Sequence, residues 1–392
     1  MNFEKVIFGI SVFLFLLMPI ACVSDVEKNQ ESLDNESHDV ALVTQYVFQL
    51  DKRTPAINYN YQLLTKDESI FLAFYSPQAE AITVSNPINT ELNWQIKLER
   101  DGPDAVGSIS DNDGMIALNT DSVYFVNTKS DIILLLDSNG HVRKRFNVNA
   151  SEAYKQYGIE IIQRNYLANI VFKGNLLIPG TFQQMNAIER GEELPCVAVL
   201  DYGLSHLTWI VNLPEMYYKS FYSQHNGMYE PSFCSNSSGT GIIVSFPVSN
   251  KLYEYDLKGQ LLQVHDVEYA DWPEVTPYSY DVSAYGKDWD VAYGKYYLTT
   301  DAFGRILQLE GYYLREIVDR VTPDEYAQKK LSPKRYWYLL DGQFNVIKKL
   351  DLANDRYDFY QMFINDHNWG ILRKDLLETN EDQLTFDVFA IN

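Results

Sequence analysis

Four times in this chain an apolar strand runs into a short loop that opens with aspartate and carries glycine, and then out into a second strand. The copies read IILLLDSNGHVRKRFNV from Ile132, VAVLDYGLSHLTWIVNL from Val197, LYEYDLKGQLLQVHDV from Leu252 and YWYLLDGQFNVIKKLDL from Tyr336. Asp and Gly accept the special φ angles of tight turns, and the flanking β-branched and aromatic residues suit a pleated, half-buried surface. Each copy therefore predicts a β-hairpin. The turn aspartates Asp137, Asp201, Asp256 and Asp341 recur with a long, uneven period. Several short strands every 50 residues or so, roughly, with no helical crossover, mark propeller blades, each a four-stranded sheet that cannot bury its faces alone.

Length and composition agree with one large all-β domain. The chain has 392 residues, 46% of them hydrophobic, with 29 Tyr and 20 Phe but 3 Cys, so its core does not depend on a disulfide framework. A net charge of -21 would repel a phosphate backbone, which excludes nucleic acid as a partner.

Placing the remaining strands around the hairpins predicts six units. SIFLAF at Ser69, AITVS at Ala81 and NWQIKL at Asn93 build the first, and SVYFV at Ser122 joins the Asp137 hairpin in the second. NLLIPGTF at Asn175 belongs to the third, GIIVSFPV at Gly241 to the fourth, and KYYLTT at Lys295 to the fifth. The fifth unit also holds an insert, Thr322 to Lys330, with an N-cap Thr, Pro at the first helical position and Glu at the third, which predicts a short helix. QMFIND at Gln361, NWGILRK at Asn368 and LTFDVFAIN at Leu384 form the sixth, which runs out of chain one strand early. Val43 to Leu50 alternates as a strand and has no partner of its own, so it completes the last blade and closes the ring. The expected fold is an all-β, six-bladed propeller over residues 41–392, preferred to a β-sandwich pair, which would need no such closure.

Ahead of it, Val6 to Ile20 is an apolar stretch shorter than a membrane span needs, leading to Ala21 and Cys22. A small residue directly before cysteine resembles a bacterial lipobox, although Pro19 stands where leucine is usual. Residues 1–21 are read as a signal peptide, Cys22 as the lipidated residue and 22–40 as a polar, acidic tether; an ordinary secretory signal or an uncleaved anchor is the alternative. Acidic residues such as Asp25 and Glu27 behind the cysteine resemble surface-export signals. The expected location is the cell envelope, at the outer membrane.

The phrase NWQIKLERDGPDAVG from Asn93 to Gly107, the following DSVYFVN at Asp121 and the lipoprotein start together resemble Bacteroidota lipoproteins of unknown function. The resemblance implies a β-propeller in the envelope and assigns no catalytic residues.

Chemistry-bearing motifs are scarce: the chain has no H-E-x-x-H, C-x-x-C, G-x-S-x-G or Walker loop. Its six histidines are scattered, and no cofactor is expected. Asp111 and Asp113 with Gly114 look like part of a calcium loop but lack its distal ligands, so a plain turn is the simpler reading. Asp288 and Asp290 flank Trp289 at strand spacing and are the candidates for a propeller hydrolase or lyase, against a solvated strand edge. The positive signal for binding is aromatic. Two links between blades, from Met216 and from Tyr269, are dense in Tyr and Trp, and Tyr217, Tyr222, Trp272 and Trp289 are the candidate ligand-binding residues for a glycan, peptide or envelope protein. Packing between blades is the competing role. Cys196 and Cys234 are read as small buried residues, with a disulfide left open.

Overall fold

The computed structural model describes residues 40–391 other than 51, 53, 56–57, 67–68, 158, 162–169, 183–192, 221, 223–226, 271, 273–274, 279–288 and 366. The signal-peptide, Cys22 and most of the tether calls lie outside the described residues. Within the His38–Asn392 unit, six antiparallel sheets form a β-propeller.

Blade 1 holds β2 (Tyr59–Lys66), β3 (Ser69–Ser76), β4 (Ala81–Ser85) and β5 (Trp94–Lys97). Blade 2 holds β6 (Gly114–Asn119), β7 (Ser122–Asn127), β8 (Ile132–Leu136) and β9 (Val142–Asn147). In blade 3 two short strands, β10 (Ile159–Ile161) and β11 (Ile170–Phe172), both pair with β12 (Asn175–Phe182), followed by β13 (Pro195–Asp201) and β14 (Leu207–Asn212). Blade 4 holds β15 (Ser232–Ser235), β16 (Gly241–Ser245), β17 (Leu252–Asp256) and β18 (Leu261–His265). Blade 5 holds β19 (Ala302–Leu309), β20 (Tyr312–Asp319), β21 (Lys334–Asp341) and β22 (Val346–Leu350). Blade 6 holds β23 (Tyr357–Ile364), β24 (Asn368–Arg373), β25 (Gln383–Ile391) and, outermost, β1 (Val40–Gln49).

Ring closure is as the sequence predicts. β1 pairs antiparallel with β25 from Val40 opposite Ile391 to Gln49 opposite Gln383. Its Phe48 is wholly buried, and Gln45 Nε2 donates to Asp387 Oδ1 at 2.6 Å. That buried carboxylate also accepts from Tyr357 OH at 2.7 Å, so the closing strand is tied to the blade interior as well as to its edge.

Three of the aspartate hairpins share one geometry, and the remaining one, at Asp201, is one residue longer: Asp201 N donates to the His206 carbonyl, where Asp137, Asp256 and Asp341 N each donate to the carbonyl four residues on. Oδ1 of the aspartate accepts two loop N–H groups: from Asn139 and His141 at Asp137, Ser205 and His206 at Asp201, Lys258 and Gln260 at Asp256, Gln343 and Asn345 at Asp341. Three residues on, the chain turns left-handed at Gly140, Leu204, Gly259 and Phe344. At Asp137, Asp256 and Asp341 this is a type I turn with a bulge, a favoured way to join twisted strands. Glycine fills that position where the preceding blade crowds it, since a Cβ at Gly140 would lie 2.7 Å from the Lys97 carbonyl oxygen. Leu204 and Phe344 instead accept the backbone strain and plug the seam with buried side chains.

Among the described residues, five short helices decorate the links: α1 (Glu152–Tyr157), α2 (Met216–Lys219), α3 (Trp289–Thr299), α4 (Pro323–Ala327) and α5 (Lys374–Leu377). The insert helix α4 carries the expected capping box, with Glu325 N donating to Thr322 Oγ1 at 3.2 Å and Thr322 N to Glu325 Oε2 at 2.8 Å.

Two strand expectations are corrected. Lys295 to Thr299 lies in helix α3, and the first strand of blade 5 is Ala302–Leu309, paired with Tyr312–Asp319 across Glu310 and Gly311. The aromatic run at Lys295 has strand-like composition but no turn linking it to the next strand; tertiary pairing decides. Blade 1 also begins with a strand, Tyr59–Lys66, that the aspartate hairpins did not reveal.

Candidate functional site

The two aromatic links meet at one place. A cleft of about 910 Å³ opens on the flank of blade 4, against the end of blade 3. Its lining falls into three groups: Asn212 to Met216 leaving blade 3, Val248 to Lys251 with Tyr253 and Tyr255 in blade 4, and Trp272 with Val275 in the link to blade 5. Gly259 of the turn, with Leu261 and Val264 of the outermost strand β18, completes it.

Local sequence explains the floor. Tyr253 and Tyr255 stand two apart on β17, so the pleat turns both rings to one face. Tyr253 OH lies 3.3 Å from Ser249 Oγ, and the Phe246 ring meets Tyr253 edge-on at 5.4 Å. Trp272 is half-buried, its ring 4.1 Å from that of Phe303 in blade 5. The rim is polar. Asn212 Nδ2 donates to Glu193 at 2.8 Å, Lys219 pairs with Glu215 at 2.7 Å and Lys251 with Asp266 at 3.0 Å. The hydrogen bond and charge of Asp266 raise the pKa of Lys251, holding it as a cation.

Of the residues singled out from sequence, Trp272 lines this cleft. Tyr217 sits directly behind it, fully buried, with its OH donating to the Met228 carbonyl at 2.7 Å and its ring packed on Tyr222, Tyr229 and Phe246. Burial raises the Tyr217 pKa well above its ordinary value. Tyr222 is buried in the same cluster. In this structure neither ring opens a face to solvent, and the link presents Met216 to the cleft in their place. Trp289 and Asp290 begin helix α3, which corrects the expected strand pairing of Asp288 with Asp290; their side chains, and Asp288 itself, lie outside the described residues. Tyr253, Tyr255 and Lys251 escaped the sequence reading because they belong to a hairpin whose pattern already had an architectural explanation. Their i, i+2 spacing is the signal that could have found the two tyrosines.

Other candidates resolve into structural roles. Asp113 is buried and accepts from Ser110 N at 2.7 Å and from Thr128 N at 2.9 Å, which pins a turn between blades 1 and 2. Cys196 and Cys234 are buried free thiols whose pKa values burial pushes up. Among the described residues, no group of three or more His, Cys, Asp or Glu could hold a metal ion, and no helix is long and apolar enough to cross a membrane.

The fold has solved counterparts. A member of the DUF4221 family from Bacteroides vulgatus ATCC 8482 superposes with a TM-score of 0.70 at 14% identity, covering 91% of this chain and 98% of that one. A Bacteroides fragilis NCTC 9343 protein, named as a candidate exported protein, gives a TM-score of 0.52 at 11% identity, covering 90% of this chain and 95% of that one. No curated protein matches. Residues 40–295 match the family model described as a domain of unknown function, DUF4221, and the chain belongs to that family.

Proposed function

We propose that this protein is an exported, lipid-anchored, non-catalytic binding propeller that holds a glycan in the cleft beside blade 4. One observation carries the reading: half-buried Trp272 shares a cavity with Tyr253 and Tyr255, which are largely buried beneath it, and with Asn212, Asn250 and Lys251. Aromatic faces stack on sugar rings, and amides and charged tips take their hydroxyls. Among the described lining residues Glu215 is the one carboxylate. Hydrolysis of a glycosidic bond ordinarily uses two, so the lining favours binding over cleavage. Export and anchoring rest on the apolar N-terminal stretch ending at Cys22, and the name of the Bacteroides fragilis neighbour is in keeping with export.

A glycan array probed with the purified protein tests the site. Binding that falls at least tenfold in Trp272→Ala, with the melting temperature held, supports it. Absence of any glycan binding, or binding indifferent to Trp272→Ala, overturns it. Anchoring has its own test: Cys22→Ala should move the protein from the membrane fraction to the soluble one, and unchanged membrane association would reject lipidation at Cys22.

A further inference from the structure

Beneath the cleft lies a charge that the binding reading does not use. Arg315, on β20 of blade 5, is wholly buried. Its Nε donates to Ser245 Oγ at 3.0 Å, Nη1 to the Asn250 carbonyl at 2.7 Å and Tyr269 OH at 2.9 Å, and Nη2 to the Ser249 carbonyl at 2.6 Å and the Lys251 carbonyl at 3.4 Å. All five acceptors are neutral, and no carboxylate among the described residues pairs with this guanidinium. Arginine does not give up its proton in a protein, so the charge stays.

The fork does two things. It holds three successive carbonyls, Ser249 to Lys251, which form one wall of the cleft. It also stacks on Phe303, with Cζ 3.6 Å from the ring centroid, and Phe303 in turn carries Trp272. A residue of one blade thus sets both the loop wall and the aromatic wall of a cleft in the next.

Electrostatics follow from burial. Glu215 and Lys219 pair on the rim, as do Lys251 and Asp266, and Glu193 is exposed, so water and salt screen these charges. Among the described residues no carboxylate pairs with Arg315, and its side chain is not exposed. In a chain of net charge -21, the cleft is therefore backed by an unneutralised, weakly screened cation.

We infer that Arg315 is the positioning residue of the cleft and that its charge selects an anionic ligand, an oligosaccharide bearing carboxylates. This inference rests on the reading of the cleft as a glycan site, and the test separates the two. Galacturonate, glucuronate and sialic acid oligosaccharides, and the methyl esters of each, are titrated into the purified protein by calorimetry at low and high salt. The acids should bind at least tenfold more tightly than their esters, and because Arg315 is buried most of that advantage should survive high salt. Lys251→Gln, on the exposed rim, should leave most of the acid-over-ester ratio in place, and loss of the ratio in that variant would overturn the assignment of selectivity to Arg315. Arg315→Met should abolish the acid-over-ester ratio, while Arg315→Lys, which keeps the charge and loses the fork, should retain part of the ratio at lower affinity. Should the Arg315 variants fail to fold, salt dependence and Lys251→Gln decide: an acid advantage that persists at high salt and in that variant supports the buried charge, and one lost in either overturns it. Equal affinity for acids and esters overturns the inference and leaves the cleft reading standing. Binding of hexaglutamate in place of the sugars overturns the ligand class. Failure of every sugar to bind, or binding indifferent to Trp272→Ala, overturns both.

Discussion

Gly304 lies so close to Glu316 on the neighbouring strand that a Cβ there would come 2.4 Å from the Glu316 carboxylate. The approach has a cause. Gly304 and Arg305 form a bulge in β19 opposite Glu316, and the bulge folds Arg305 back so that its Nε meets Glu316 Oε2 at 3.1 Å. Arg335 reaches the other oxygen at 2.7 Å, and Arg305 Nη2 continues to the Phe359 carbonyl of blade 6. One buried carboxylate thus carries two guanidiniums and a seam between blades.

Removing that carboxylate should be costly. Glu316→Gln leaves two buried cations without a countercharge, and breaking such a buried network costs about 3–5 kcal/mol. Urea denaturation should show the loss, and adding Arg335→Met should recover part of it. Additive losses in the double variant would argue against a shared network.

Acid stability should depend on the same residue. Burial alone would raise the Glu316 pKa, but the charges and hydrogen bonds of Arg305 and Arg335 outweigh it and bring the carboxyl down from 4.5 to about 2. A carboxyl lowered on folding stabilises above its unfolded value, and that contribution is lost as pH falls through the folded value. About 3 kcal/mol should fade between pH 4.5 and 2. The stability curve of Glu316→Gln should be flatter across that window. An identical slope in both proteins would remove Glu316 from the account.

The closing strand offers a third test. Phe48 of β1 is fully buried, 6.1 Å edge-on from Phe386, so Phe48→Ala should cost about 3–5 kcal/mol. Deleting residues 40–49 exposes the edge of β25 and should produce association through it, visible by light scattering. A monomeric deletion variant of unchanged melting temperature would show that closure is dispensable.

At the fourth hairpin two effects compete. Phe344→Gly relieves a left-handed φ of 66°, a gain of about 1–2 kcal/mol, but removes a ring that packs 4.4 Å from His265 and 4.7 Å from Tyr313. Deleting a buried phenylalanine costs about 3–5 kcal/mol, so packing should win and the variant should lose stability. A more stable variant would mean that the plug contributes less than its strain.

Much of the fold is legible in the chain because its determinants are local. Asp137 and its three counterparts, Thr322 with Glu325, and the unpartnered alternation from Val43 to Leu50 act within a turn, a cap or a strand, and these give hairpins, helix and ring closure. Where one pattern serves two states, locality fails. The aromatic run at Lys295 suits strand or helix, and pairing in space settled it. Of the site, Trp272 could be read from its aromatic link. The floor could not, because Tyr253 and Tyr255 look like any strand until a neighbouring blade defines which face is open. The buried charges were hidden too, since Arg315 and Arg305 find their partners across blade seams. Sequence by itself determined the blade count and the closure, through turn chemistry and periodicity. Tertiary structure alone decided which side chains meet at the cleft and which charges are buried, because those contacts join residues from different blades.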